Sequence, residues 1–200
     1  MKRFAVLLLA LALAVCCALP AFAAGTIEVN EDISVSADYD WTRFKGQNIT
    51  LNVYNWGEYI SNGSDDSLDV VSAFEDLTGI KVNYTTFDSN ESMYAKLKSG
   101  AADYDVVIPS DYMVAKMIAE GMLKPLNYDN IPNYQYISED FRGLYYDPDD
   151  TYTVPYTYGI VGVIYNANVV DEADTGSWDL MWNPKYPGNI LQFNNARDAF

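Results

Sequence analysis

The chain is 200 residues long, half of them hydrophobic, and carries 28 acidic against 12 basic residues for a net charge of −16. That balance disfavours nucleic acid and anionic lipid as partners and draws cations. Histidine is absent, so the usual general base and the commonest metal ligand are missing.

Residues 1–24 read as a secretory signal peptide. Lys2 and Arg3 open it, Phe4 to Val15 is apolar, and Ala21-Phe22-Ala23 supplies small residues for cleavage after Ala23 or Ala24. The apolar run is too short for an ordinary membrane span. The alternative is lipid attachment at Cys16 or Cys17, against which the bulky Val15 argues. Both cysteines lie in this segment, so the rest of the chain has no disulfide, thiolate metal site or cysteine nucleophile. Residues 25–46 are polar and acidic without a clean period, and are expected to be an extended leader or tether.

A rhythm begins at residue 47. A strand is predicted over 49–55, then a helix over about 66–78 with Val70, Val71, Phe74 and Leu77 on one face and Gly79 as its stop. A second strand covers 80–87. Asp88 with Glu91 resembles a capping box, and the helix that follows turns Met93, Tyr94 and Leu97 inward before Gly100. A third strand, 104–109, holds Val106, Val107 and Ile108 and reads as a central parallel strand. A third helix over 111–120 points Val114, Met117 and Ile118 inward and stops at Gly121.

Residues 122–150 are irregular. Strands are then predicted over 152–156, 159–165 and 189–193, with a short helix at 178–182 after Ser177 and a turn over 183–188. Asn194 to Asp198 resembles a helix opening two residues before the sequence stops, as in the first part of a longer protein or a truncated product. There is no internal repeat. Asn48, Asn62, Asn83 and Asn90 begin N-x-[ST] sequons that carry little weight in a bacterial export context.

Strand–helix alternation predicts a parallel α/β sheet, whose ligands sit beyond the carboxyl ends of the strands. Asn55-Trp56-Gly57-Glu58-Tyr59 follows the first strand and Ser110-Asp111-Tyr112 the third, so both loops are expected on one sheet edge. Aromatic rings beside carboxylates suit an organic cation. Trp56, Tyr59 and Tyr112 would wall an alkyl chain, and Glu58, Asp111 or Asp198 would take its nitrogens. The plainer alternative makes Trp56 and Tyr59 ordinary packing aromatics. Catalysis has little support, because no G-x-S-x-G motif or phosphate-binding glycine loop is present. Asp147-Pro148-Asp149-Asp150 lacks the spacing of a calcium loop and reads as a solvated turn.

Several long stretches also resemble a known family. YNWGEYI, FEDLTGIKVNYTTFDSNESMYAKL, YDVVIPSDYMVAKMIAEGML, YTVPYTYGIVGVIYN, SWDLMWNPKYPGNI and NNARDAF are similar, in order, to the bacterial spermidine/putrescine-binding proteins of ABC transporters. The resemblance runs from about residue 47 to the end. It implies an α/β, two-lobed periplasmic-binding-protein fold with parallel-type sheets flanked by helices. The second lobe would be incomplete in this chain. A first lobe over 47–155 and a crossover with the start of the second over 156–200 would follow, closing about segments near 151–165.

The resemblance also implies a role. The protein would be non-enzymatic, exported and monomeric, periplasmic or lipid-anchored, with no cofactor and no nucleic-acid partner. It would bind a polyamine and deliver it to an ABC permease. The family's Trp-x-Glu-Tyr stretch matches Trp56, Glu58 and Tyr59, and its Pro-Ser-x-Tyr stretch matches Ser110 and Tyr112. Its Asp-Ala-Arg-Glu stretch is here Asn195-Ala196-Arg197-Asp198: Asp198 keeps an acid one methylene shorter, and Asn195 replaces a charge with an amide. Gly57 stands where a hydroxyl residue is often found. Two alternatives stay open: a binding protein for another small cationic or polar solute, and a carboxylate-based hydrolase using Glu58 and Asp198.

Overall fold

A computed structural model describes residues 25–193. The segment expected to be a signal peptide, its two cysteines, Asn195, Asp198 and the helix opening expected at 194–198 lie outside the described residues. The chain divides into two compact units. The first takes the residues up to Thr86 together with Asp103–Val107, and the second takes Phe87–Ala102 and Ile108 onward.

The first unit begins with a hairpin where a leader without regular structure is expected. Strands β1 (Thr26–Glu28) and β2 (Ser34–Ser36) pair antiparallel, with Ile27 opposite Val35. Asn30 shapes the turn, its side-chain oxygen accepting from the backbone N–H groups of Asp32 (3.0 Å) and Ile33 (2.8 Å). Three-residue strands are too short to show a period, so this element left no pattern to read.

A three-stranded sheet follows, built from β3 (Thr50–Trp56), β4 (Lys81–Phe87) and β5 (Val106–Val107) in the order β4-β3-β5. The α/β expectation holds: β3 and β5 run parallel, Val53 opposite Val106 and Tyr54 opposite Val107. Asp105 extends this ladder, donating its N–H to Asn52 O at 2.9 Å while its carboxylate accepts from Asn52 N at 2.8 Å. The third strand is not central, however. It is two residues long, it lies at the edge of this sheet, and Val106 is 45% exposed. Its apolar run reports what the side chains favour, not which strands stand beside it.

Helix α1 (Val70–Thr78) joins β3 to β4. It starts later than the pattern suggests, because Asp65 and Asp66 take left-handed backbone angles and Asn62 bridges Asp69. Asp69 is the N-cap, accepting from Ser72 N at 2.9 Å and Ser72 Oγ at 2.6 Å. These bonds hold its carboxyl below the usual range. Gly79 stops the helix as expected, at φ 72°, with its N–H on Glu75 O. A Cβ there would stand 2.8 Å from Lys45 Cγ. The Glu75 carboxylate then ties the helix to β4 through Lys81 Nζ and Val82 N, each at 2.7 Å.

The second unit holds α2 (Asn90–Lys98) and α3 (Asp111–Ala119). Met93, Met113, Val114 and Met117 are buried. Ser89, not Asp88, caps α2, its hydroxyl accepting from Ser92 N. Glu91 does not close the expected box; its carboxylate accepts from Tyr112 instead. On the exposed side, Glu120 accepts from Tyr94 and pairs with Lys98 and Lys116, which ties the two helices together.

Residues 122–150 contain three short 3-10 turns, at Tyr128–Asn130, Pro132–Tyr136 and Glu139–Phe141. The acidic turn at 147–150 is not simply solvated. Asp147 is buried and accepts from Thr151 N, Tyr152 N, Thr153 N and Thr153 Oγ1 at 2.8–3.0 Å.

The strands expected over 152–156, 159–165 and 189–193 do not form; these residues take part in no sheet among the described residues. Ile160, Ile164 and Leu191 are almost fully exposed. Alternation and β-branching describe a side-chain pattern, and a strand also needs a neighbour for its backbone. The segment after Ser177 forms as a 3-10 helix, Trp178–Trp182, followed by the expected turn.

Candidate functional site

Within the first unit, the functional candidates gather where β3 ends. Tyr54 is the packing aromatic: it is buried and stacks on Tyr104 at 4.4 Å and 8°. Asn55, also buried, donates to Tyr84 OH at 2.8 Å and accepts from Trp56 N at 2.8 Å, fixing the backbone as it leaves the sheet. Trp56 is only half-buried, and Tyr59 is 44% exposed. Their ring centroids stand 6.0 Å apart with planes inclined by 39°. Glu58, between them in sequence, is exposed. This end of the sheet therefore carries a half-buried tryptophan, an exposed tyrosine tilted against it and an exposed carboxylate, and the neighbouring Tyr54 takes the packing role. Parallel pairing places the carboxyl ends of β3 and β5 on one sheet edge.

In the second unit, Ser110 and Tyr112 open α3. Ser110 occupies the N-cap position, yet its side chain makes no cap hydrogen bond. A capping serine is worth about 1 kcal/mol, so its hydroxyl is used elsewhere at a cost. Asn90, fully buried at the start of α2, takes it up. Asn90 Oδ1 accepts from Ser110 N at 3.0 Å, and Asn90 Nδ2 donates to Ser110 Oγ at 3.0 Å and to Tyr112 OH at 2.9 Å. Tyr112 OH in turn donates to Glu91 Oε1 at 3.0 Å. Asp111, an alternative anion, accepts from Tyr145 OH at 2.8 Å.

The structure thus gathers Trp56, Glu58 and Tyr59 in one unit and Ser110 and Tyr112 in the other. Asn195 and Asp198 lie outside the described residues. Sequence reasoning missed Asn90, which stood out only as the start of a sequon of little weight. Buried with its amide fully used, it is unavailable for modification. The first unit also holds a pocket of about 630 Å³ under the hairpin, lined by Glu28, Asp38, Tyr39, Trp41, Lys45 and Asp76 among others. It contains none of the expected site residues, and Arg43 already covers the Tyr39 ring at 4.8 Å.

Among the described residues, no helix is long and apolar enough to cross a membrane, and no group of three His, Cys, Asp or Glu side chains is placed to hold a metal ion.

Comparison with known proteins gives this geometry its context. A family model described as bacterial extracellular solute-binding protein matches residues 69–200. The chain is similar to the spermidine/putrescine-binding periplasmic protein of Escherichia coli, 39% identical over 156 residues covering 76% of this chain and 42% of that protein. It is also similar to the putrescine-binding periplasmic protein SpuD of Pseudomonas aeruginosa, 36% identical over 160 residues covering 76% and 41%. Among solved structures, it is similar to the spermidine/putrescine ABC transporter substrate-binding protein PotD of Streptococcus pneumoniae. There the TM-score is 0.59 at 41% identity, covering 69% of this chain and 41% of that one. The chain spans about two-fifths of the length of these relatives.

Proposed function

Because the chain belongs to the bacterial extracellular solute-binding protein family, we propose that it captures a polyamine, spermidine or putrescine, outside the cytoplasm and delivers it to an ABC permease. The observation that carries this reading is the tilted pair of half-buried Trp56 and exposed Tyr59 flanking exposed Glu58 at the end of the central parallel strand. Tilted rings accept the methylenes and ammonium groups of a flexible cation, and each cation–π contact is worth about 0.5–2 kcal/mol. Glu58 adds a charge-assisted bond.

The ligand set in this proposal is Trp56, Glu58, Tyr59, Ser110, Tyr112, Asn195 and Asp198. Ser110 offers a hydroxyl, Tyr112 a ring and an oxygen, and Asp198 the second charge. The names of the similar proteins, which bind spermidine or putrescine, support this choice of ligand. A monomeric, non-enzymatic protein without a cofactor, periplasmic or lipid-anchored, completes the reading. The net charge of −16 agrees with a cationic ligand and with no nucleic-acid partner. Asn195, where an acid is usual, favours one second reading, a binding protein for another small cationic or polar solute.

Isothermal titration of the full-length protein with putrescine and spermidine tests the proposal. Saturable binding of either supports it, and binding only of a non-amine solute overturns it.

A further inference from the structure

The chemistry of Tyr112 is set by residues to which no role is assigned. Ser110 N is a backbone donor, so the atom of Asn90 that faces it must be the carbonyl oxygen. The orientation of the amide is thereby fixed, and both Nδ2 protons go to hydroxyls, one on Ser110 and one on Tyr112. The single proton of Tyr112 goes to Glu91. A phenol that accepts from an amide and donates to a carboxylate meets any further partner only as an acceptor. Its oxygen is also more negative than that of an isolated tyrosine, because chained hydrogen bonds polarise one another.

We propose that Asn90 and Glu91 are positioning residues that hold the Tyr112 hydroxyl as a polarised acceptor, and so favour a protonated amine at that side chain. An ammonium group has only protons to offer and matches this demand. A carbonyl or carboxylate has none and is refused. The inference rests on the polyamine reading and adds a source of selectivity within it. The arrangement also accounts for the absence of a side-chain cap at Ser110, whose hydroxyl serves the same amide.

A double-mutant cycle on the full-length protein tests this, reading putrescine and spermidine affinity by calorimetry. Glu91 is exposed, so Glu91→Gln is expected to leave the fold intact, which an unchanged melting temperature checks. It is expected to weaken amine binding by about three- to tenfold. In a Tyr112→Phe background, where no hydroxyl remains to be polarised, the same change is expected to have no effect. Asn90→Asp replaces two donors with acceptors and is expected to weaken binding further. Where that buried variant does not fold, the Glu91 cycle decides alone. An equal loss in both backgrounds, or no loss in either, overturns the inference while leaving polyamine binding intact. Failure of the unaltered protein to bind any amine overturns the polyamine reading and this inference with it.

Discussion

The rings of Trp56 and Tyr59 stand 6.0 Å apart, inclined by 39°, at the carboxyl end of the central strand of the first unit. Neither ring is fully buried, in contrast to Tyr54 two residues earlier. The proposed ligand binding rests on these two rings and the carboxylate between them. Trp56→Ala is expected to cost about 0.5–2 kcal/mol of polyamine affinity, roughly a two- to thirtyfold rise in Kd. Tyr59→Phe keeps the ring and is expected to change the affinity far less. Calorimetric titration of both variants checks this; a loss in Tyr59→Phe as large as that in Trp56→Ala would show that the Tyr59 hydroxyl contributes as much as the tryptophan ring.

Asp147 gathers four hydrogen bonds from residues 151–153 while itself buried. Asp147→Ala leaves three backbone N–H groups and a hydroxyl without their acceptor. A destabilisation of about 3 kcal/mol is expected, given about 1.5–3 for a bond to a charged group and a further cost for stranded donors. Urea unfolding measures it, and faster amide exchange at Thr151, Tyr152 and Thr153 locates it. Unchanged exchange at these positions would count against the anchoring role.

Gly79 has φ 72°, and a Cβ there would press on the Lys45 side chain at 2.8 Å. Gly79→Ala is expected to destabilise by about 1–2 kcal/mol, the cost of a left-handed conformation for an L-residue. Gly100, also at positive φ but with open space where a Cβ would fall, adds no steric contact to that cost. A comparison of the two alanine variants by chemical denaturation separates backbone strain from crowding.

Hydrogen bonds from Lys98, Tyr94 and Lys116 hold the Glu120 carboxyl down to about 2. A depressed folded-state value means that the unfolded chain binds the proton first as pH falls. The stabilisation is therefore complete above the ordinary Glu value of about 4.3 and is lost as pH falls from there toward 2. Melting temperatures of the unaltered protein and of Glu120→Gln are expected to differ at pH 7 and to converge near pH 2. A gap that persists across this range would contradict the assignment.

The helices of both units were legible because their signals are local. Apolar spacing, an acceptor before the first turn and a glycine after the last all lie within one stretch of chain, as at Val70–Thr78 with Gly79. Even there the cap of α2 was misplaced by one residue, since Asp88 and Ser89 both suit that position. The strands expected over 152–165 were not legible in the same way. Tyr152 to Tyr165 carries the side chains of a strand, but a ladder depends on a neighbour that the local sequence does not name. The hairpin at 26–36 was hidden by its brevity.

Part of the candidate site was equally non-local. Trp56 and Tyr59 are legible because two large aromatics directly follow a predicted strand. Asn90 reaches Ser110 and Tyr112 across 20 and 22 residues of sequence, and no pattern around it signals that reach.

A thermal-shift titration of the full-length protein with putrescine, spermidine and spermine, with arginine as control, tests the central claim most directly. Ligand that binds the native state alone raises stability by about 2.7 kcal/mol at a hundredfold excess over Kd. The account predicts a saturable rise in Tm with a polyamine, absent with arginine and reduced in Trp56→Ala. A folded protein whose Tm responds to none of the three polyamines would contradict it.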